Sequence, residues 1–150
     1  MNRSLLFVLA SLLSLSSTVF AADGLIAVKS PFTANETMNR LEQNVKQRGL
    51  HVFARIDHAA GAAKVDKKLR PTVVLIFGNP QGGAPFMECA QSVGIDLPLK
   101  ALVWEDAQGQ VWLGYNDPVF IAQRHGVAQC PIVTRLSSAL STITKATVTR

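Results

Sequence analysis

The chain has 150 residues, 48% hydrophobic and 17% charged, with 15 Lys and Arg against 10 Asp and Glu and a formal net charge of +5. That length holds one domain with a genuine hydrophobic core. The basic bias is modest and follows an export-type leader, which argues against a nucleic-acid role, and there is no internal repeat, low-complexity segment or second-domain linker.

The leader is "MNRSLLFVLASLLSLSSTVFAADG". Arg3 opens it, an apolar run follows from Leu5 to Leu15, and small residues close it at Ala21 and Ala22, the order of a secretory signal peptide over residues 1–21. The run is diluted by serines and falls short of the roughly 20 residues of a membrane span. Stable membrane insertion after cleavage is therefore not expected; a retained anchor is the alternative. Residues 22–150 form the expected single domain. Without Arg3 that domain carries a formal charge of +4. The periplasm or the exterior is the expected location.

"GLIAVKSPF" reads as a short strand ended by Pro31. In "TANETMNRLEQNVKQRGL", Thr33 and Glu36 form a capping box, Met38, Leu41 and Val45 recur at helical spacing, and Gly49 suits the stop. "LHVFARID" alternates as a strand, with Leu50, Val52, Ala54 and Ile56 on one face and His51, Phe53, Arg55 and Asp57 on the other. A short helix is expected through "HAAGAAKV". "KVDKKLR" then gathers Lys64, Lys67, Lys68 and Arg70, a solvated surface or an attraction for an acidic or anionic partner.

"PTVVLIFG" is apolar from Val73 to Phe77, as expected of a central strand covered on both sides. "LIFGNPQGGAPF" raises the question of a phosphate cradle. Gly78 and Gly83 have P-loop spacing, but the next two positions hold Ala84 and Pro85 where that motif requires Lys and Ser or Thr. The nucleotide option fails there. A tight turn with Asn79-Pro80 remains, or backbone N–H groups for a small anion. A helix is expected in "PFMECAQSV", with Pro85 in its first turn.

"LKALVWEDAQGQVWLGYND" reads as a hairpin around Ala107, Gln108 and Gly109, with Gly109 left-handed. That register pairs Asp106 with Gln110, Glu105 with Val111 and Trp104 with Trp112. Ala101, Val103, Val111, Leu113 and Tyr115 form the core side. The tryptophans share the other face with Lys100, Leu102 and Gly114, where they pack under a helix or form a subunit or ligand surface. "NDPVFIAQRHG" starts a helix capped by Asn116 or Asp117 with Pro118 first. In "PIVTRLSSALSTITKA", Ile132, Leu136, Leu140 and Ile143 make one apolar helix face. The whole is a single α+β domain.

Cys89 and Cys130 reach an oxidising compartment without a C-x-x-C, so a structural bridge is favoured over free thiols. No motif implies a cofactor, and none implies a bound metal. His51 and His58, seven positions apart, fall on opposite faces of a continuous strand. There is no G-x-S-x-G elbow and no H-E-x-x-H. Glu105 points to the presumed core side, where a buried carboxylate would have a raised pKa unless it lies at the wet strand end.

In order along the chain, "HVFARIDHAAGA", "LIFGNPQGGAPFM", "GIDLPLKALVWED" and "VWLGYNDP" resemble the domain-of-unknown-function 302 family, from about Leu25 to Gly126. The resemblance implies a small α+β domain of the TATA-binding-protein-like class, a mixed or antiparallel sheet packed with helices, often homodimeric, and no established reaction. It also suggests a pocket near the end of the central strand, with His58, Asn79, Pro80, Asp106, Tyr115 and Asn116 at the matching positions. The expected function is an exported, periplasmic-type binding or accessory protein, a homodimer with a small-molecule or anionic ligand. The alternatives are an enzyme using His58 as acid or base, with Asp57 or Asp106 orienting it, and a metal-handling protein.

Overall fold

The structure is a computed structural model that describes residues 22–150; the expected leader lies outside the described residues. Strand β1 (Leu25–Ser30) leads to α1 (Ala34–Gln47), β2 (His51–Asp57), α2 (His58–Ala63), β3 (Thr72–Gly78) and α3 (Pro80–Cys89). A 3-10 helix (Gln91–Ile95), β4 (Leu99–Glu105), β5 (Val111–Asn116), α4 (Pro118–Arg124) and α5 (Ile132–Val148) complete the chain. The five strands make one antiparallel sheet in the order β1-β5-β4-β3-β2. The α+β single domain is as the sequence indicates.

Alternation along the strands separates two faces. Leu75, Phe77, Ala101, Val103, Leu113 and Tyr115 point to the helix side, buried against Met38, Leu41 and Val45 of α1 and Leu140 and Ile143 of α5. A second cluster lies where α3, α4 and the start of α5 meet, around Phe86, Val93, Ile121, Ala122 and Leu136. The Cys89–Cys130 disulfide, with Cα atoms 6.1 Å apart, ties α3 to the segment entering α5 inside this second core. The favoured pairing of the two cysteines is therefore the one present.

Local signals place several elements as expected. Thr33 accepts a hydrogen bond from the backbone N–H of Glu36 at 3.2 Å to start α1. Asp117, rather than Asn116, caps α4 by accepting from Val119. The hairpin has the expected register, with Trp104 opposite Trp112 and Gly109 at φ 78°. All four apolar positions expected on the last helix, Ile132, Leu136, Leu140 and Ile143, are buried.

Three local expectations are corrected. Strand β3 has neighbours on both sides but lies second from the edge, and β4 is the middle strand. Leu75 and Phe77 are fully buried while Val74 and Ile76 are half-buried, so β3 is fully covered on one face only. In β2 a bulge at Phe53 shifts the register, so that Val52 pairs with Phe77 but Ala54 with Ile76. The bulge sends Val52 and Arg55 to the helix side and turns Ala54 and Ile56 outward, because one extra residue inverts a period-2 pattern. Arg55 then reaches α1, donating to Asn39 Oδ1 at 2.7 Å and Asn35 Oδ1 at 3.1 Å. Finally, α3 begins at Pro80, five residues before the expected start at Pro85. The Asn79 cap and a proline at the first helical position outweigh the low helix propensity of Gly82 and Gly83.

Candidate functional site

The "NPQGG" segment is thus the first turn of a helix. Asn79 Oδ1 accepts from the Gly82 N–H at 3.0 Å, and the Asn79 carbonyl accepts from Gly83 at 3.1 Å. Pro80 has no N–H to offer. The Gly83 bond is the ordinary first bond of the helix; of the donors a helix start leaves free, Gly82 is taken by the Asn79 side chain and Pro80 has none, and Gln81 does not line the cavity beside the turn.

Beside this turn lies a cavity of about 400 Å3. Its floor is α5, through Leu136, Leu140 and Ile143, and its roof is the glycine-rich turn with Gly78, Asn79, Gly82 and Gly83. Leu97, Pro98 and Leu99 form one wall, and Leu50 and Phe53 form the opposite rim. Leu136 belongs to the second core, Leu140 and Ile143 to the first, so the cavity occupies the seam between the two cores. The approach of the turn to α5 is closest at Gly82, where a Cβ would come within 3.2 Å of Leu136 Cδ2, while one at Gly83 would make an ordinary contact with Leu97 Cδ1 at 3.6 Å. Phe53 is brought to the rim by the β2 bulge and stays 55% exposed.

The candidate residues divide between this cavity and other parts of the fold. Asn79 and Pro80 line the cavity. His58 is exposed at the start of α2, beyond the β2–β3 pairing of Asp57 with Val73, whereas Asn79 follows the pairing of His51 with Gly78. About 17 Å of strand separates those two ends. Asp57 accepts from Ala60 N–H and so caps α2. Tyr115 is 5% exposed on the helix side of β5, and its phenol is pushed up by burial and then by the Asp117 charge. Asn116, the next residue, is exposed at the end of β5 opposite Leu25.

Asp106 sits at the hairpin turn, at the same sheet end as His58. Its carboxylate accepts from Trp112 Nε1 at 2.7 Å and from the backbone N–H groups of Gln110 and Gln108. The Trp112 indole chiefly, with those amides, holds its carboxyl below the usual range. Trp104 and Trp112 stack with centroids 6.3 Å apart, and Lys29 lies over Trp112 at 5.5 Å. The indoles thus cover each other on the outer face of the sheet. Glu105 is half-buried at the end of β4, and its carbonyl accepts from Arg70.

Sequence reasoning missed one polar relay. His125, at the end of α4, meets Ser92 Oγ through Nδ1 at 2.8 Å and Asp96 Oδ2 through Nε2 at 2.7 Å. Arg124 donates to the same Asp96 carboxylate at 3.0 Å. The order serine, histidine, aspartate resembles a nucleophile relay, but none of the three side chains lines the cavity. Its evident effect is to fasten the 3-10 helix to α4. Among the described residues no three His, Cys, Asp or Glu side chains are grouped to hold a metal ion, and no helix is long and apolar enough to cross a membrane.

The sequence is 42% identical over 124 residues to a Brucella suis protein called fluoride-specific ion channel FluC 1, covering 81% of this chain and 49% of that one. A Brucella abortus protein of the same name gives 42% identity, covering 81% and 46%. The chain spans about half the length of the curated relatives it matches. The crystal structure of an uncharacterized conserved protein DUF302 from Bacillus stearothermophilus superposes with a TM-score of 0.75 at 24% identity. It covers 83% of this chain and 98% of that one, a likeness that establishes the shared fold alone. Residues 26–143 match the family described as Domain of unknown function DUF302, and the chain belongs to that family.

Proposed function

We propose that the protein is an exported, homodimeric binding or accessory protein that holds a small molecule beneath α3. The cavity carries this proposal: about 400 Å3, within the range of roughly 300–1,000 Å3 usual for small-molecule sites. The leader and the Cys89–Cys130 bridge support an oxidising compartment outside the cytoplasm. A second copy is supported by the outer sheet face, where Ile56 is 43% exposed and Val74, Ile76, Leu102 and Trp104 are half-buried. Ile56, Val74 and Leu102 lie in one row across β2, β3 and β4, a contiguous apolar patch of the kind that marks an interaction surface. Lys29 lies over Trp112 and Lys100 donates to the Asp96 and Pro98 carbonyls, so both cations of this face are held within their own chain.

Analytical ultracentrifugation and native mass spectrometry of protein taken from its own compartment test both parts. A dimer carrying a small co-purified molecule is expected. A strict monomer removes the second copy, and a bare mass in every preparation removes the resident ligand.

The half-length match to proteins named as fluoride channels favours a second reading, in which this unit serves beside a membrane channel. Deleting the chain should then sensitise its host to fluoride; unchanged tolerance would dismiss the link.

A further inference from the structure

We infer that the cavity beneath α3 selects a neutral, lipophilic molecule and discriminates against anions. This rests on the proposed binding role and names its ligand class. The first observation is the lining: Asn79 supplies the one polar side chain among the residues around the cavity, and no charged side chain is among them. An ionised ligand would leave water for a wall that offers no counter-charge, at a desolvation cost nothing offsets. The second is the direction of the backbone amides. A glycine-rich helix start ordinarily suits a phosphate or carboxylate, but here the Asn79 side chain takes the Gly82 N–H, Pro80 has no donor and Gln81 does not line the cavity.

The third observation concerns what the cavity still offers. Because Asn79 Oδ1 accepts from the Gly82 N–H, the orientation of its amide is fixed by that bond. As the polar side chain on the cavity wall, Asn79 offers its Nδ2 group to one carbonyl, ether or hydroxyl oxygen of a ligand. At the rim, Phe53 is 55% exposed and Met87 is 37% exposed, apolar surface that a lipophilic occupant would cover. The chemistry selected is therefore an apolar body with at most one hydrogen-bonding group near Asn79, of a size at the lower end of small-molecule pockets.

A matched pair of fluorescent probes tests this: N-phenyl-1-naphthylamine, which is neutral, and 8-anilino-1-naphthalenesulfonate, the same skeleton with a sulfonate. Titrated into the exported protein, the neutral probe should bind at least tenfold tighter. Gly83→Leu, which fills the cavity from α3, should weaken the neutral probe by at least tenfold. Ala139→Trp fills it from an exposed position on α5, and a circular dichroism spectrum like that of the wild type identifies whichever variant folds. If the sulfonate binds as tightly and both probes are lost in the filled variants, the cavity binds ligands but the neutral class is overturned. If neither probe binds, or binding survives both substitutions, the cavity reading itself fails.

Discussion

At one end of the sheet the β4–β5 hairpin closes on Asp106, whose carboxylate takes N–H groups from Gln108, Gln110 and the Trp112 indole. At the other end Asn79 also binds the turn it begins, yet next to it lies open apolar space. Both ends use an Asx side chain to organise a turn. The hairpin then covers its aromatic groups with one another, whereas the helix turn, made of glycines, leaves a gap between two cores. The difference teaches that a capping residue shows where a turn forms, and the side chains around it decide whether a ligand can enter.

The largest expected effect falls on the cavity side. The Cys89–Cys130 bridge closes a loop with a sequence separation of 41 and fastens α3 beside the cavity. Reduction, or Cys89→Ser with Cys130→Ser, should lower unfolding free energy by roughly 4 kcal/mol in the chain-entropy account. Urea unfolding with and without reductant measures this, and neutral-probe affinity should fall with it. An unchanged midpoint would show that this corner is held by packing alone.

On the hairpin side, Gly114→Ala places a Cβ 3.0 Å from Trp104 Cζ3 and 3.2 Å from the Ile26 carbonyl oxygen. Such overpacking costs about 1–3 kcal/mol, and the near-ultraviolet circular dichroism of the stacked indoles should change. Probe binding at the far end of the sheet should not. A smaller effect belongs to Asp106. Its folded-state carboxyl is depressed, chiefly by the Trp112 indole, so its stabilisation is complete above the ordinary aspartate value of about 3.9 and is lost as pH falls through the lower folded value. Asp106→Asn should therefore lower the urea midpoint at neutral pH, with the gap to wild type closing in strong acid. A gap independent of pH would remove the ionised carboxylate from the explanation. Smallest, and belonging to neither end, is the Thr33 cap of α1. Thr33→Ala should cost about 1 kcal/mol and leave both probe binding and the indole signal as they were.

The hairpin was legible residue by residue because its causes are local: a glycine at φ 78°, an aspartate at the turn and alternating side chains fix the register without distant information. The same holds for α1, where cap and period agree, and for α5, where the period alone marks the buried face. The cavity was legible only at Asn79 and Pro80. Beyond the glycine-rich turn and α3 its lining comes from Leu50 and β2, from the stretch between the 3-10 helix and β4, and from α5, and no short-range pattern connects Phe53 or Leu97 to Ala139. Phe53 in particular depends on a bulge, and the unbroken alternation of "HVFARID" conceals it. The Ser92–His125–Asp96 relay was missed for a related reason: its members are 33 and 29 residues apart in the chain and meet only when α4 packs by the 3-10 helix.

The most direct test of an apolar binding cavity is a nuclear magnetic resonance titration of the protein with N-phenyl-1-naphthylamine. Shifts are expected at the backbone amides of Gly82, Gly83, Gly94 and Ala139, with the indole N–H signals of Trp104 and Trp112 unmoved. Shifts confined to the two indoles, with those four amides silent, would place the binding surface on the outer face of the sheet and contradict the account.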